Sequence, residues 1–502
     1  MRRPSLVLAT ALVLQTAAFW SAGCAARGGS PVRVDGAALT AGLAAEVAAC
    51  PDAQAVRVLL ARDVVEYAAL LDVLREERTA LRRTAALAAE AADSGAAVPG
   101  HAVEELNRCF SAASDTTRQV AATAARHDAW RHRGAPHADP VLRVLGSALS
   151  AAAALELYDS YLDCGALLTT HPAVRKIIDR GDAGFGVRGG QLDGLTRDYL
   201  DLAARYRTHD TLRFLAANRA ILERDDDPHL TWLRERLTSS PSGRTLGESW
   251  LVPLSEFVGE SVNLIRSDLK RLGDASLGGA SKGFGNAVGV VQFRRGKLHG
   301  DRAAAEALRA TLRPGDILLE KTPFRLTDRF IPGHWGHAAI WLGTADEVRD
   351  LLGEDPLLGR HLPRLAAGAG VCEALRDGVQ LNPVERFLDV DDVCVLRCPD
   401  LAPRDLAEHL RRCLRQLGKS YDFNFDVETA DRIVCSELVY QVYTGIAWPT
   451  GTTLGRWTIS PDQVANRARP GGPLTVVDLW HDGRRLDGDL QARLTTLLDG
   501  AR

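Results

Sequence analysis

Two hydrophobic periods in one chain predict a two-part fold: an N-terminal all-α helical bundle, then a C-terminal α+β domain made of an antiparallel sheet with flanking helices. From residue 36 to about 272, apolar residues recur at steps of three and four, the period of an amphipathic helix. From Gly315 onward, short apolar and β-branched runs alternate with turn residues, as strands do in an α+β arrangement. Between the two, 273–300 carries Gly278-Gly279, Gly283, Gly285, Gly289, Gly296 and Gly300. That composition predicts an interdomain connector. A phosphate-cradling loop is the alternative there, but the GxxxxGK[ST] pattern is missing. The organisation is therefore 1–23 signal segment, 24–35 tether, 36–272 helical domain, 273–300 connector and 301–490 second domain, with residues from about 295 onward folding alone.

Within the helical half, Leu60, Val64, Tyr67, Leu71 and Leu74 give the clearest stripe. Ser94-Gly95 and Pro99-Gly100 break that helix. Further helices are expected at about 102–130, 140–168, 192–207, 210–224 and 228–238, with no strand. A stripe of Val258, Val262, Ile265, Leu269 and Leu272 reads as a core-facing helix; its mixed-sign opposite face disfavours a membrane surface. In the second half a helix at 302–312 leads through Pro314-Gly315-Asp316 into the strand Ile317-Leu318-Leu319. Strands follow at Gly336–Gly343, Val371–Ala374, Val379–Leu381, Val393–Leu396 and Leu474–Val477, with helices at 402–417 and after the cap Ser460-Pro461-Asp462.

The stretch most suggestive of chemistry is Arg432–Tyr440. Asp431 can cap a helix there and Gly445 can close it; Cys435, Leu438, Val439 and Val442 fall on one apolar stripe. A thiol on the first turn of a helix meets free N–H groups and the positive end of the macrodipole, which favour thiolate. A small buried hydrophobe is the other reading of a lone cysteine. A thiol nucleophile needs a base, and the base needs a third group to hold its tautomer. His337 begins one strand and Glu373 is central in the next, so the right residue types are present. His334 and His337 raise a metal site with Glu373 or Cys435, but a GHWGH turn is not the helical HExxH, and no metal or cofactor is expected. Trp335 is expected to wall the cleft. Asp316 reads as a strand-entry turn residue, and Glu437, about 200° around the helix from Cys435, as a structural contact.

The order GDILL, HAAIWLG, CEALRDGV, GKSYDFNF and CSELVYQVY, over about 295–480, resembles the permuted papain-like cysteine hydrolases of the YiiX/YebB type. These are relatives of NlpC-type cell-wall peptidases in which the histidine strand precedes the cysteine helix. The resemblance implies a papain-like fold, with Cys435 as nucleophile, His337 as base and Glu373 as orienting residue. It also implies Tyr421 as a tyrosine near the site. Unpermuted NlpC-type enzymes have aspartate before the cysteine and glycine after the serine. Here those places hold Val434 and Glu437, so peptide specificity does not carry over.

Balanced Lys+Arg (61) against Asp+Glu (64) leaves no basic footprint for nucleic acid. Arg2 and Arg3, an apolar run from Leu6 to Trp20 and Ser21-Ala22-Gly23-Cys24 form a secretory signal too short to span a membrane. Cys24 after Ala-Gly resembles the acylated cysteine of a lipobox; a plain signal peptide and an uncleaved anchor are the alternatives. Elsewhere the best spanning candidate, Val144 to Leu155, is too short. Export makes a disulfide among Cys50, Cys109 and Cys164 possible. Cys372, Cys394, Cys398 and Cys413 read as buried thiols. Together these features suggest an exported cysteine hydrolase, lipid-anchored at the periplasmic face of the outer membrane and acting on an amide in peptidoglycan. A lipid or lipoprotein acyl hydrolase or acyltransferase with the same triad is the second reading. A catalytically silent binding protein is the third.

Overall fold

The computed structural model describes residues 33–95, 97–224, 226–249, 294–324, 333–375, 377–421, 432–453 and 456–500. The side chains of 165–170, 421, 432–433, 451–453 and 456–457 are excepted. The signal segment with Cys24, the stripe from Val258 to Leu272 and most of the glycine-rich connector lie outside the described residues. By contacts the chain forms two compact units. The first comprises Met1–Arg82, Cys109–Arg175 and Arg188–Ser267, and the second Arg83–Arg108, Lys176–Val187 and Asp268–Arg502. The second unit is thus larger than the sequence boundary, since it takes in two segments that the reading assigned to the helical half.

The first unit is helical. Its main elements are α1 (Gly36–Ala49), the part of α2 (Ala53–Asp93) up to Arg82, the part of α3 (Gly100–Arg126) from Cys109, α4 (Pro140–Thr170) and α5 (Pro228–Ser239). Leu60, Val64, Tyr67, Leu71 and Leu74 are all buried, as their spacing requires, and pack with Leu145, Leu149, Leu230 and Leu233. By length and composition alone Pro140–Cys164 could span a membrane, but 72% of its apolar window is buried, which marks a core helix. Asp139 caps α4 through Val141 and Leu142 N–H, with Pro140 at the first helical position. The expected break between helices near residue 208 falls at Leu200 instead. Asp201 accepts from Ala203 and Ala204 N–H and so starts the helix Leu202–Ala217. His209 and Asp210, which resemble a helix start, lie inside that helix; Asp210 pairs with Arg131.

The second unit carries an antiparallel sheet. Its strands are β1 (Ile317–Lys321), β2 (His337–Trp341), β3 (Val371–Leu375), β4 (Gly378–Asn382) and β5 (Asp392–Arg397). Two short pairs come next, β6 (Ser420–Tyr421) with β7 (Arg432–Ile433), and β8 (Gly451–Thr453) with β9 (Arg456–Thr458). Finally β10 (Thr475–His481) and β11 (Arg484–Arg485) join the main sheet, whose order is β11-β10-β5-β1-β2-β3-β4. Leu474–Val477 is therefore not in the last strand: Asp482-Gly483, both at positive φ, turn the chain back as a two-residue hairpin. Alternation puts Ile317, Leu319, Ala338, Ile340, Cys394 and Leu396 into one core, beneath α6 (Pro403–Gln416) and α7 (Cys435–Val442). Leu318, Ala339, Trp341, Val393 and Val395 enter a second core on the other face. The end of the connector is pinned within this unit. Leu298 is buried, Arg294 pairs with Asp391, and a Cβ at Gly296 would meet Val390 N at 2.1 Å.

Candidate active site

Helix α7 is buried on every side, from Cys435 through Val442. Its start is one turn later than Asp431 suggests, and Asp431 itself lies outside the described residues. The N-cap is Val434, which has no side-chain acceptor, so Glu437 reaches back and accepts from Val434 N–H at 2.9 Å. That is the structural contact of Glu437, now located. The helix closes at Tyr443 rather than Gly445. Ser436 Oγ donates to Ile459 O at 2.6 Å and ties the first turn down. Ala338, fully buried in β2, is small enough to let α7 approach the strand. Its backbone N–H and that of Ser436 are directed so as to favour the ionised Cys435 sulfur.

The three residues singled out from the sequence meet. His337 and Cys435 lie close enough that each shifts the titration of the other. On its other side His337 Nε2 donates to Glu373 Oε2 at 3.0 Å. That leaves Nδ1 as the ring nitrogen facing the thiol. Glu373 is 4% exposed, and its second oxygen accepts from Asn382 Nδ2 at 2.8 Å. Glu320, cross-strand neighbour of His337, adds a further negative charge. Burial by itself would push the Cys435 thiol up; the charge of His337, its hydrogen bond and the two backbone N–H groups outweigh this and bring the thiol below its ordinary value. Burial likewise opposes the imidazolium, yet Cys435, Glu373 and Glu320 hold His337 well above 6.5. The arrangement favours charge separation between the thiol and the imidazole, with a carboxylate behind the ring, which is the chemistry a thiol nucleophile requires.

Other thiols show the contrast. Burial pushes up Cys164, Cys394 and Cys398, and the Cys413 sulfur followed by burial raises Cys372. All eight described cysteines are free. Asn382 and Glu320 were not singled out from the sequence. Asn382 stands before Pro383 and reads as a turn residue, although it shares a strand face with Gln380, the cross-strand partner of Glu373.

Trp335 does not wall a cleft. It is fully buried in the core under α7, because its backbone N–H and that of His334 are drawn onto the Asp462 carboxylate. The Tyr421 side chain lies outside the described residues. Asp316 is structural: it is buried, accepts twice from Arg397 and once from Arg313 N–H. A cavity of about 350 Å³ opens at the carboxylate end of the relay, on Glu373 and Glu320, with Arg295, Arg386 and Glu385 around it. His334 does not join His337 and Glu373. It turns instead to Asp392 and His481.

Residues 311–486 match the model of the permuted papain-like amidase enzymes of the YaeF/YiiX family. The match covers β1 through β11 and α7, and agrees with the resemblance carried by HAAIWLG and CSELVYQVY. No curated protein and no solved structure matches the chain.

Proposed function

Because residues 311–486 belong to the YiiX-like family of permuted papain-like amidases, we propose that the protein hydrolyses an amide through a Cys435–His337–Glu373 relay. The Cys435 thiolate adds to the carbonyl carbon. The C–N bond breaks as His337 gives its proton to the departing amine, which leaves a thioester on Cys435. Water, deprotonated by His337, then displaces the Cys435 thiolate to release the acid and restores the thiolate–imidazolium pair. Glu373 keeps Nδ1 toward the sulfur and stabilises the imidazolium.

The observation that carries this reading is the opposed behaviour of the cysteines: Cys435 is lowered by an imidazolium, whereas Cys164, Cys372, Cys394 and Cys398 are raised. Alkylation of Cys435 against pH tests it. Wild type should react well below about pH 8.5, the ordinary thiol value, and His337→Ala should move the reactive limb upward while slowing turnover by roughly 10²–10⁴-fold. An equally unreactive thiol in both proteins would overturn the relay.

For the substrate, we read a peptide amide of peptidoglycan. The export pattern and the resemblance to NlpC-type cell-wall peptidases support that reading. A mass-identified acyl-enzyme from whole-envelope extract decides it: a peptidyl adduct supports the reading, and a fatty-acyl adduct moves it to the acyl-transfer alternative. The N-terminal pattern supports export and a lipid anchor on Cys24. Mass spectrometry of the N-terminal peptide should find Cys24 acylated as the first residue; an unmodified cysteine removes the anchor from the proposal.

A further inference from the structure

Two strand ends and one turn place a second set of reactive side chains together, apart from the Cys435 relay. His334 lies in the turn before β2, Asp392 opens β5, and His481 closes β10 opposite Asp392. His334 Nε2 and His481 Nδ1 each stand 2.9 Å from Asp392 Oδ2. All three ligand-type atoms fall within 4.8 Å of one another. Two imidazoles and a carboxylate are the donor set that borderline divalent ions prefer, and three protein ligands plus water make an open tetrahedral zinc site. Ligand atoms around tetrahedral zinc sit roughly 3.3 Å apart at bond lengths near 2.0 Å. The two His–Asp spacings of 2.9 Å need to open by a few tenths of an ångström, and the two imidazole nitrogens, within 4.8 Å of each other, can draw together about the ion.

Two of the three ligands, Asp392 and His334, are held from outside, as ligands of a built metal site are. Asp482 N–H donates to the second oxygen, Asp392 Oδ1, at 2.7 Å. It does so because the Asp482-Gly483 hairpin turn, with φ of 54° and 80°, aims that N–H at the carboxylate. The Asp482 carboxylate is itself engaged by Lys297 and is not part of the donor set. His334 is fixed twice. Its backbone N–H and that of Trp335 bind the Asp462 carboxylate at 3.0 and 2.7 Å, and its ring packs edge-on against Trp335. Gly333 makes this possible, since a Cβ there would strike Asp462 Oδ2 at 2.1 Å. Asp392 is 3% exposed while the His481 side chain is 45% exposed, so the open position faces solvent on the His481 side.

We propose that His334, Asp392 and His481 bind one zinc ion, which fastens the turn three residues before His337 to β5 and β10. The ion takes no part in the thiol chemistry, and its binding is read without reference to turnover. The test uses the full chain, stripped with chelator and titrated with Zn²⁺ alone, then with Co²⁺ as a spectroscopic stand-in. One equivalent should bind. Co²⁺ should give tetrahedral visible bands without a thiolate charge-transfer band. Cys435→Ala should bind as tightly as wild type. His481→Ala, exposed enough to fold, should weaken binding by more than about 100-fold, beyond the roughly 10–100-fold typical of an outer-shell change, and its melting temperature should no longer rise with zinc. Failure to bind at micromolar zinc, unchanged binding in His481→Ala, or a thiolate band in the cobalt spectrum would each overturn the proposal.

Discussion

Cys435 differs from its seven described fellow thiols through its neighbours and not through burial, because Cys372, Cys394 and Cys413 are buried just as deeply. The difference is one imidazole backed by a carboxylate. That chain extends one residue further, to Asn382, which supplies the donor for Glu373 Oε1. An oxygen of a buried carboxylate left without its donor costs about 1–3 kcal/mol. Asn382→Leu should lower stability by roughly that amount and slow turnover less than His337→Ala, because the relay keeps all three members. It should also shift the alkylation limb of Cys435, which a purely structural asparagine would not do. The triad types were legible from the sequence because they sit in recognisable runs. Asn382 was not, because its role depends on the register of β3 against β4, which no local pattern displays.

At the scale of elements, the apolar stripe of α7 was readable and its cap was not. Asp431 is a favourable capping type and Val434 is a poor one, so local preference pointed one turn early. A buried Glu437, reaching back three residues, reversed that choice. The same kind of miss occurred at Asp201, where a true cap was hidden by a second aspartate inside the helix. Helix α6 holds a feature that no capping rule predicts. His409 is buried on its inner face against Tyr443, and burial, aided by Arg412, lowers it to about 4. The folded chain therefore resists protonation that the unfolded chain accepts below about pH 6.5. This contribution is complete above pH 6.5 and is lost as pH falls toward 4, by roughly 3 kcal/mol over the window. His409→Leu should flatten that acid loss, measured as the difference in the unfolding midpoint of the second unit between pH 7 and pH 4.5. An undiminished pH dependence would assign the loss to other groups.

At the scale of the whole chain, the sequence divides at the glycine-rich connector, but the second unit does not begin there. Contacts between residues some three hundred positions apart are invisible to periodicity, and they are what define this unit. Glu104 accepts from Arg412 and Arg415, and Tyr440 OH, on the cysteine helix, donates to Val98 O. The strongest tie is Lys419 Nζ on Asp182 Oδ1 at 2.8 Å, with the two side chains 1% and 6% exposed. Lys419 directly precedes β6, and its carbonyl takes the N–H of Val379, so the pair is attached to the sheet that carries Glu373. A fragment starting near residue 295 would keep the relay but lose Glu104, Val98 and Asp182. It would bury a lysine charge without a partner, and breaking such a pair costs about 3–5 kcal/mol. Asp182→Asn isolates this effect, since the amide oxygen can still accept from Gly184 N–H while the charge is gone. The variant should lose stability on that scale, and the fragment should fail to give a cooperative unfolding transition. A fragment from 295 that melts as sharply as the full chain would show that the two inserted segments are passengers, and the boundary would return to the connector.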